Sequence, residues 1–215
     1  MTWDEAVSTL TGPGCPFEIT TQEVMGLPTK VYSRTPNSLR DLFMIARLYG
    51  DKPYLVYEDE TWSYTDLVQH IDGLAHALVH KYGIEKGDRV AIAMRNYPEW
   101  IVAFAAITSI GGIAVALNAW WVTDELEYGL KDSGSKLVIV DEERVKRVAP
   151  ILEASEAAAI AIRVAGELPS GIDRYEDVVE LGAEMPEIAI DTDDDATILY
   201  TSGTTGFPKG AVSTH

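Results

Sequence analysis

The sequence predicts an α/β fold, a mainly parallel sheet flanked by helices on both faces, and three observations carry that prediction. Short, continuous apolar runs recur along the chain ("RVAIAM", "IAVAL", "KLVIV", "AAIAI"), as expected of strands buried on both faces. Between them lie segments of helical periodicity that open on capping residues. The two kinds of segment alternate, which favours crossover connections and parallel pairing.

The first fifty residues are weakly patterned, and "GPGCP" reads as a flexible stretch. Ser38–Gly50 predicts a short amphipathic helix ended by Gly50. "PYLVYEDETWSY" alternates and turns at Glu58-Asp59-Glu60, a hairpin signal. Ser63 with Asp66 resembles a capping box. The helix it opens carries Leu67, Ile71, Leu74 and Leu78 on one face, widened by Val68, Ala75, Val79 and Tyr82, and Gly83 ends it.

Gly87–Met94 is the next strand. Asn96 with Glu99 is expected to cap the following helix, with Pro98 in its first turn. From Trp100 to Val122 there is no charged residue, and about 20 apolar residues can span a bilayer. Gly111-Gly112 splits the run, however, and Asn118 follows the second piece. A buried helix, a tight turn and a buried strand over Ile113–Leu117 are expected instead, and no transmembrane segment. Thr123, followed by Asp124 and Glu125, starts a helix with acids at its positive end. Lys136–Val140 is a strand, Asp141 caps a further helix, and Ala158–Ala165 ends with another strand. Asp191–Asp195 reads as a solvated, self-repelling loop in preference to a metal site. Ala196–Ser202 is the last long strand before the closing loop.

Composition excludes several functions. The 215 residues carry 34 acids against 17 bases, a net charge of −17, with no basic stripe to displace the counterions of nucleic acid or to meet an anionic membrane. Cys15 is the only cysteine, so neither an intrachain disulfide nor a cysteine metal cluster can form. The N-terminus has early acids and no apolar run, unlike a signal or transit peptide, so a cytoplasmic location is expected. His76 and His80 stand four apart with His70 nearby, but no third metal ligand has suitable spacing; solvent-facing rings are expected. Trp120 and Trp121 would line an acyl or partner surface or, the preferred reading, pack in the core; His215 is expected to fray.

The chain closes on "YTSGTTGFPKGAVSTH". Gly203, Gly206 and Gly210 give the freedom with which backbone N–H groups form an anion nest. Thr201, Ser202, Thr204 and Thr205 add hydroxyl donors, and Lys209 a mobile positive charge. That combination suits a polyphosphate. It is not a Walker loop, since Pro208 precedes Lys209, Gly210 follows it, and the next residues are strand-like. A strand–loop–strand is predicted.

On these residues the chain resembles the adenylate-forming (AMP-binding) superfamily, which includes acyl-CoA synthetases, firefly luciferase and peptide-synthetase adenylation domains. "TWSYTDL", "KGDRVAIAMRNYPEWIVAFAAITSIGGIAVALN" and "DELEYGLKDSGSKLVIVD" are similar to its N-terminal landmarks and follow in the same order. The acyl-CoA synthetase branch, a fatty-acid–CoA ligase first, fits best. The resemblance implies that a carboxylic acid is activated by ATP as an acyl-adenylate and passed to coenzyme A. It also implies that Thr201, Ser202, Gly203, Thr204, Thr205, Gly206 and Lys209 embrace the ATP phosphates with Mg²⁺.

By the same resemblance, residues 1–215 form the N-terminal part of the large AMP-binding domain. Residues 39–165 would be the α/β core, 166–195 an acidic connector and 196–215 the strand–phosphate loop–strand. The Tyr-Gly-x-Thr-Glu segment, the ribose-binding Asp and the C-terminal domain with its adenylation lysine have no counterpart here. No residue of the chain is therefore assigned to catalysis. The chain alone is expected to be inactive, and its open sheet edge is expected to offer a route to self-association. Two alternatives remain open at this level: a non-catalytic half-protein that binds a nucleotide or a partner, and an adenylation domain that loads a carrier protein.

Overall fold

A computed structural model describes residues 1–201 and 207–215, which divide into two units, Met1–Asn37 and Ser38–His215. In the first unit Thr2 and Glu5 cap helix α1 (Trp3–Thr11) reciprocally. Strands β1 (Ile19–Val24) and β2 (Leu27–Tyr32) pair antiparallel. Their turn holds Met25 and Gly26 at φ of 51° and 78°, the left-handed pair that matches hairpin twist. No residue of α1, β1 or β2 is buried. A core-facing period is therefore missing from this stretch, and its sequence reads as weakly patterned.

In the second unit Ser38 caps helix α2 (Leu39–Met44), which tightens into 3₁₀ geometry through Leu48. Strands β3 (Pro53–Tyr57) and β4 (Glu60–Ser63) make the expected hairpin, with Glu58 left-handed at φ 51° in its turn. The Ser63–Asp66 box opens helix α3 (Tyr64–His80), with backbone N–H bonds of 2.8 Å and 3.1 Å. Then follow β5 (Arg89–Ala93), α4 (Pro98–Ser109), β6 (Ile113–Ala116), α5 (Thr123–Ser133) and β7 (Leu137–Asp141). The chain continues through α6 (Glu142–Val148), α7 (Leu152–Ser155), β8 (Ala158–Ile162), β9 (Ile172–Arg174), α8 (Tyr175–Val178), β10 (Asp195–Thr201) and β11 (Lys209–Thr214).

Seven strands form one sheet in the order β11-β10-β6-β5-β7-β8-β9. Every neighbouring pair is parallel except β10 with β11. Successive strand residues serve opposite cores. Val90, Ile92, Leu137 and Ile139 pack with Leu74 and Leu78 of α3 and Ile107 of α4. Ala91, Ala93, Val138 and Val140 pack with Leu126 and Leu130 of α5 and Val145 and Val148 of α6. Each fully buried Leu or Ile contributes about 1.5–3 kcal/mol, so the sheet is held from both sides. The uncharged Trp100–Val122 run resolves into α4, a turn at Gly111 (φ 70°) and β6. No helix among the described residues is long and apolar enough to cross a membrane.

Three local expectations are corrected. Asn96 does not cap α4. The helix begins at Pro98, so the cap position falls on Tyr97, without a side-chain bond, and both oxygens of the Glu99 carboxylate accept from Arg163 Nε at 2.9 Å. His70 does not face solvent. Residues 166–195 contain β9 and α8, and α8 lays the buried Tyr175 against α3, with the phenol oxygen 3.0 Å from His70 Nδ1. His215 is held, because its Nδ1 accepts the Leu39 N–H at 3.1 Å and its own N–H bonds the Asp194 carbonyl. Of the other histidines, His76 donates to the Glu184 carbonyl at 3.2 Å, its ring centroid 4.2 Å from that of His80.

The acidic stretch beyond α8 is tied down through its backbone. Arg40 Nη1 donates to the Pro186 carbonyl at 2.9 Å, and Lys86 Nζ to that of Ala189 at 3.1 Å. Gly73 of α3 lets the chain pass directly over the helix, since a Cβ there would stand 2.6 Å from the Glu180 carbonyl oxygen.

Burial pushes the His70 imidazole below its ordinary value, opposed by the charge of Asp66, and burial does the same to His215. The neutral rings belong to the folded state, so the unfolded chain binds the extra protons and stability falls as pH drops through the histidine range, about 6.5. His70→Gln is expected to flatten part of the decline in urea midpoint between about pH 7 and pH 5. An unchanged slope would remove His70 from this linkage.

Candidate functional site

Parallel pairing delivers the carboxyl ends of neighbouring strands to one edge of a sheet, where α/β proteins place their ligands. Here β10 lies beside β6, with Leu199 opposite Ala116. Two residues further on, at Thr201 and at Asn118, the chain has left or is leaving each strand along this edge. Thr201 and Lys209 are register partners across the antiparallel β10–β11 pair, and both are exposed. Two of the seven sequence-predicted phosphate ligands are thus brought together. Ser202, Gly203, Thr204, Thr205 and Gly206 lie outside the described residues.

The base of this strand pair is braced from α5. Tyr128 donates its hydroxyl to the Pro208 carbonyl at 3.2 Å and stacks on Phe207 at 5.2 Å between centroids. Tyr200 donates to Asp132 Oδ2 at 2.6 Å and meets the Trp121 ring edge-on at 5.6 Å. Gly210, read from sequence as part of the anion nest, lies within β11. A Cβ there would come within 2.6 Å of Ile198 Cγ2, so its described role is the close approach of two strands.

A cleft of about 540 Å³ opens along the same edge, lined by Arg95, Asn96 and Tyr97 after β5, Asn118 and Trp120 after β6, and Tyr57 of the hairpin. The tandem tryptophans part company. Trp121 is 8% exposed and packs in the core, as expected, whereas Trp120 is 67% exposed and its ring lies 4.7 Å from the Arg95 guanidinium. Sequence reading missed Arg95 and Trp120 as a pair because they follow different strands.

Behind Arg95 and Ala119 of the cleft lining lies a buried ion pair. Asp141 accepts the Arg144 N–H at 3.1 Å, which caps α6, and the Arg95 N–H at 2.9 Å. The Arg144 side chain, 1% exposed, returns to Asp141 at 3.1 Å and donates Nε to the Ala119 carbonyl at 2.7 Å. One carboxylate and one guanidinium thereby tie together the chain segments leaving β5, β6 and β7. In the sequence Asp141 shows only as a cap, and Arg144 hides in the charge run "DEERVKR".

Chemically, the edge offers an indole with an exposed guanidinium on its face and two side-chain amides beside a hydroxyl and an ammonium. Such a set suits a planar polar group joined to an anion. Among the described residues no group of three His, Cys, Asp or Glu is placed to hold a metal ion.

The profile of the family described as AMP-binding enzyme matches residues 42–215. A crotonobetaine/carnitine–CoA ligase of Salmonella paratyphi A is 34% identical over 181 residues, which are 80% of this chain and 35% of that protein. The chain therefore spans about a third of the length of such relatives, 35% for this one. Among solved structures, the anthranilate CoA ligase AuaEII in complex with anthranoyl-AMP matches with a TM-score of 0.74 at 24% identity, over 84% of this chain and 36% of that one. Coronafacic acid ligase from Pectobacterium brasiliense matches with a TM-score of 0.72 at 23% identity, over 82% and 35% of the two chains. At those identities the structural likeness speaks for the fold.

Breaking a buried pair costs about 3–5 kcal/mol where it strands the remaining charge; here Arg144 keeps a second carboxylate, Glu143, at 2.8 Å. Asp141→Ala, which removes a cap and the acceptor of the Arg95 N–H, is expected to lower the unfolding free energy by about 2–3 kcal/mol in urea titrations. The exposed Lys146→Ala on the same helix should change it by less than about 0.5 kcal/mol. Equal, small effects would show that the pair is not what holds these strand exits.

Proposed function

The chain belongs to the AMP-binding enzyme family, and on that premise we propose that it supplies the phosphate-holding part of an ATP-dependent acid–CoA ligase. The observation that carries the reading is the pairing of Thr201 with Lys209, which brackets the Gly/Thr-rich residues 202–206 at the carboxyl edge of the sheet. In the proposed reaction a carboxylate oxygen attacks the α-phosphate of ATP, pyrophosphate leaves, and coenzyme A thiolate then displaces AMP from the acyl-adenylate. Activation is needed because a free carboxylate resists nucleophiles, while its mixed anhydride carries a good leaving group.

In this scheme Lys209 places a mobile positive charge at the phosphates, and Thr201 and the loop hydroxyls donate to their oxygens. Both offset charge that builds on the departing pyrophosphate. Tyr128 and Gly210 set where β11 begins, and hence where Lys209 stands. Hydroxyl and ammonium donors fit phosphate oxygens. Mg²⁺ would be carried by the phosphates and would neutralise part of their charge. Lys209 is a binding residue here, and no described residue is assigned a proton transfer.

The acid is proposed to be a fatty acid, on the resemblance of the sequence to that branch of the ligases. The relatives named above are called ligases of carnitine or crotonobetaine, anthranilate and coronafacic acid, acids of different shape. What they have in common with this chain is therefore better assigned to the nucleotide than to the acid.

Isothermal calorimetry with Mg·ATP and with pyrophosphate tests the phosphate site. Lys209→Ala is expected to weaken binding by about tenfold, a difference of about 1.4 kcal/mol, with the unfolding midpoint unchanged. Equal affinity in the variant would take Lys209 out of the site.

A further inference from the structure

We infer that Arg163 is the pin that holds the β3–β4 hairpin as a lid over the carboxyl edge of the sheet, and that it thereby positions the aromatic wall of the cleft. The inference concerns the cleft and does not rest on the phosphate reading.

Core packing secures the hairpin only through Trp62 of β4, which lies against the core with its ring centroid 4.5 Å from that of His70. No residue of β3 or β4 is buried, and Val56 is 72% exposed. A groove of about 260 Å³ separates Leu55, Val56 and Tyr57 on the hairpin from Tyr97, Pro98 and Ile101 around the start of α4. At its base the hairpin is secured by the chain itself, with Tyr64 N–H bonded to the Lys52 carbonyl at 3.0 Å and Tyr54 packed on Tyr64 at 4.8 Å.

At its tip the polar anchor is one side chain, beside an edge-on contact of Tyr57 with Tyr97 at 5.7 Å between centroids. Arg163 Nη1 and Nη2 donate to the two oxygens of Glu60, on the hairpin, at 2.6 Å and 2.9 Å. Its Nε donates to both oxygens of Glu99, on α4, at 2.9 Å. The guanidinium carbon lies 5.3 Å from the Tyr57 ring centroid and 5.2 Å from that of Tyr97. Each of the three guanidinium nitrogens donates to a carboxylate, and both aromatic neighbours face the cation.

The two carboxylates differ in freedom. The Glu99 side chain is 9% exposed and belongs to the body, whereas that of Glu60 is 42% exposed and belongs to the hairpin. One cation therefore joins a fixed acid to a movable one. Without it the acids would face each other as like charges, and the hairpin would be released. Arg163 itself follows β8 with φ of 53°, a conformation uncommon for any residue but glycine, here combined with a side chain engaged at all three nitrogens. Tyr57 rides on the hairpin and Tyr97 on the body, and both line the cleft and the groove. Arg163 is in neither lining, yet it sets the gap between the two rings. It is a positioning residue.

Hydrogen–deuterium exchange on the full chain tests this with two variants. Glu60→Gln removes only the hairpin's share of the pin, and Arg163→Lys keeps the charge but loses the fork. Both are expected to speed amide exchange across residues 53–63 by about tenfold, which corresponds to about 1.4 kcal/mol of local opening. Exchange over 89–93 and 137–141 and the urea midpoint of Glu60→Gln should stay as in the parent chain. Unchanged exchange over 53–63 in both variants would overturn the inference. So would uniform acceleration over the whole sheet in Glu60→Gln, which would make Arg163 a strut of the core and not the pin of a lid.

Discussion

The buried pair of Asp141 and Arg144 is the constraint on which the functional edge depends. Parallel strands guarantee only that their carboxyl ends fall on one side of a sheet. They do not fix the segments that leave those ends, where the backbone has lost its ladder partners. Asp141 supplies acceptors to Arg95 and Arg144, and Arg144 supplies a donor to Ala119. Three strand exits are tied by two side chains. Burying both charges is costly, and Arg144 Nη2 makes no hydrogen bond among the described residues. The Trp120 ring centroid, 5.9 Å from that guanidinium carbon, is its aromatic neighbour. The pair is better understood as fixing geometry than as adding stability.

In front of that pair the cleft is assembled from parts with different footing. Arg95, Asn96 and Asn118 follow core strands whose side chains are almost wholly buried. Tyr57 comes from a hairpin that buries nothing completely. A rigid side with a less secured wall is the arrangement expected where a site must admit a ligand and then enclose it. The β10–β11 pair adds a third part. It belongs to the same sheet but bears the exposed apolar side chains Leu199 and Val212, with Phe207 just ahead of β11.

Much of the fold was legible because burial on both faces writes itself into the sequence as continuous apolar runs. The Ser63–Asp66 box and the Asp141 cap were legible because donor and acceptor are three residues apart. The failures share one cause, a partner distant in sequence. Glu99 was read as half of a cap, yet its carboxylate is taken by Arg163, 64 positions on. His70 was read as facing water, yet it meets Tyr175, 105 positions on. Adjacent identical residues defeat pattern reading too: Trp120 and Trp121 follow one another in the chain, and one reaches the cleft while the other enters the core. The N-terminal hairpin left no trace because exposed strands have no buried face to alternate with. For the loop, residue chemistry was informative without geometry, since glycine, hydroxyl and lysine together name a kind of ligand but do not specify its pose.

The acidic stretch after α8 is anchored through main-chain carbonyls, by Arg40 and Lys86, and by the pass over Gly73. Anchors of that kind are indifferent to which side chains the stretch carries, so apart from Asp194, which pairs with Lys86, and Met185 and Ile188, which pack on the core, substitution there has little structural consequence. Over generations its remaining acids can be gained and lost by neutral drift while the sheet beneath stays the same. The surplus of negative charge thus becomes a quantity that selection can adjust for the surroundings without touching the cleft.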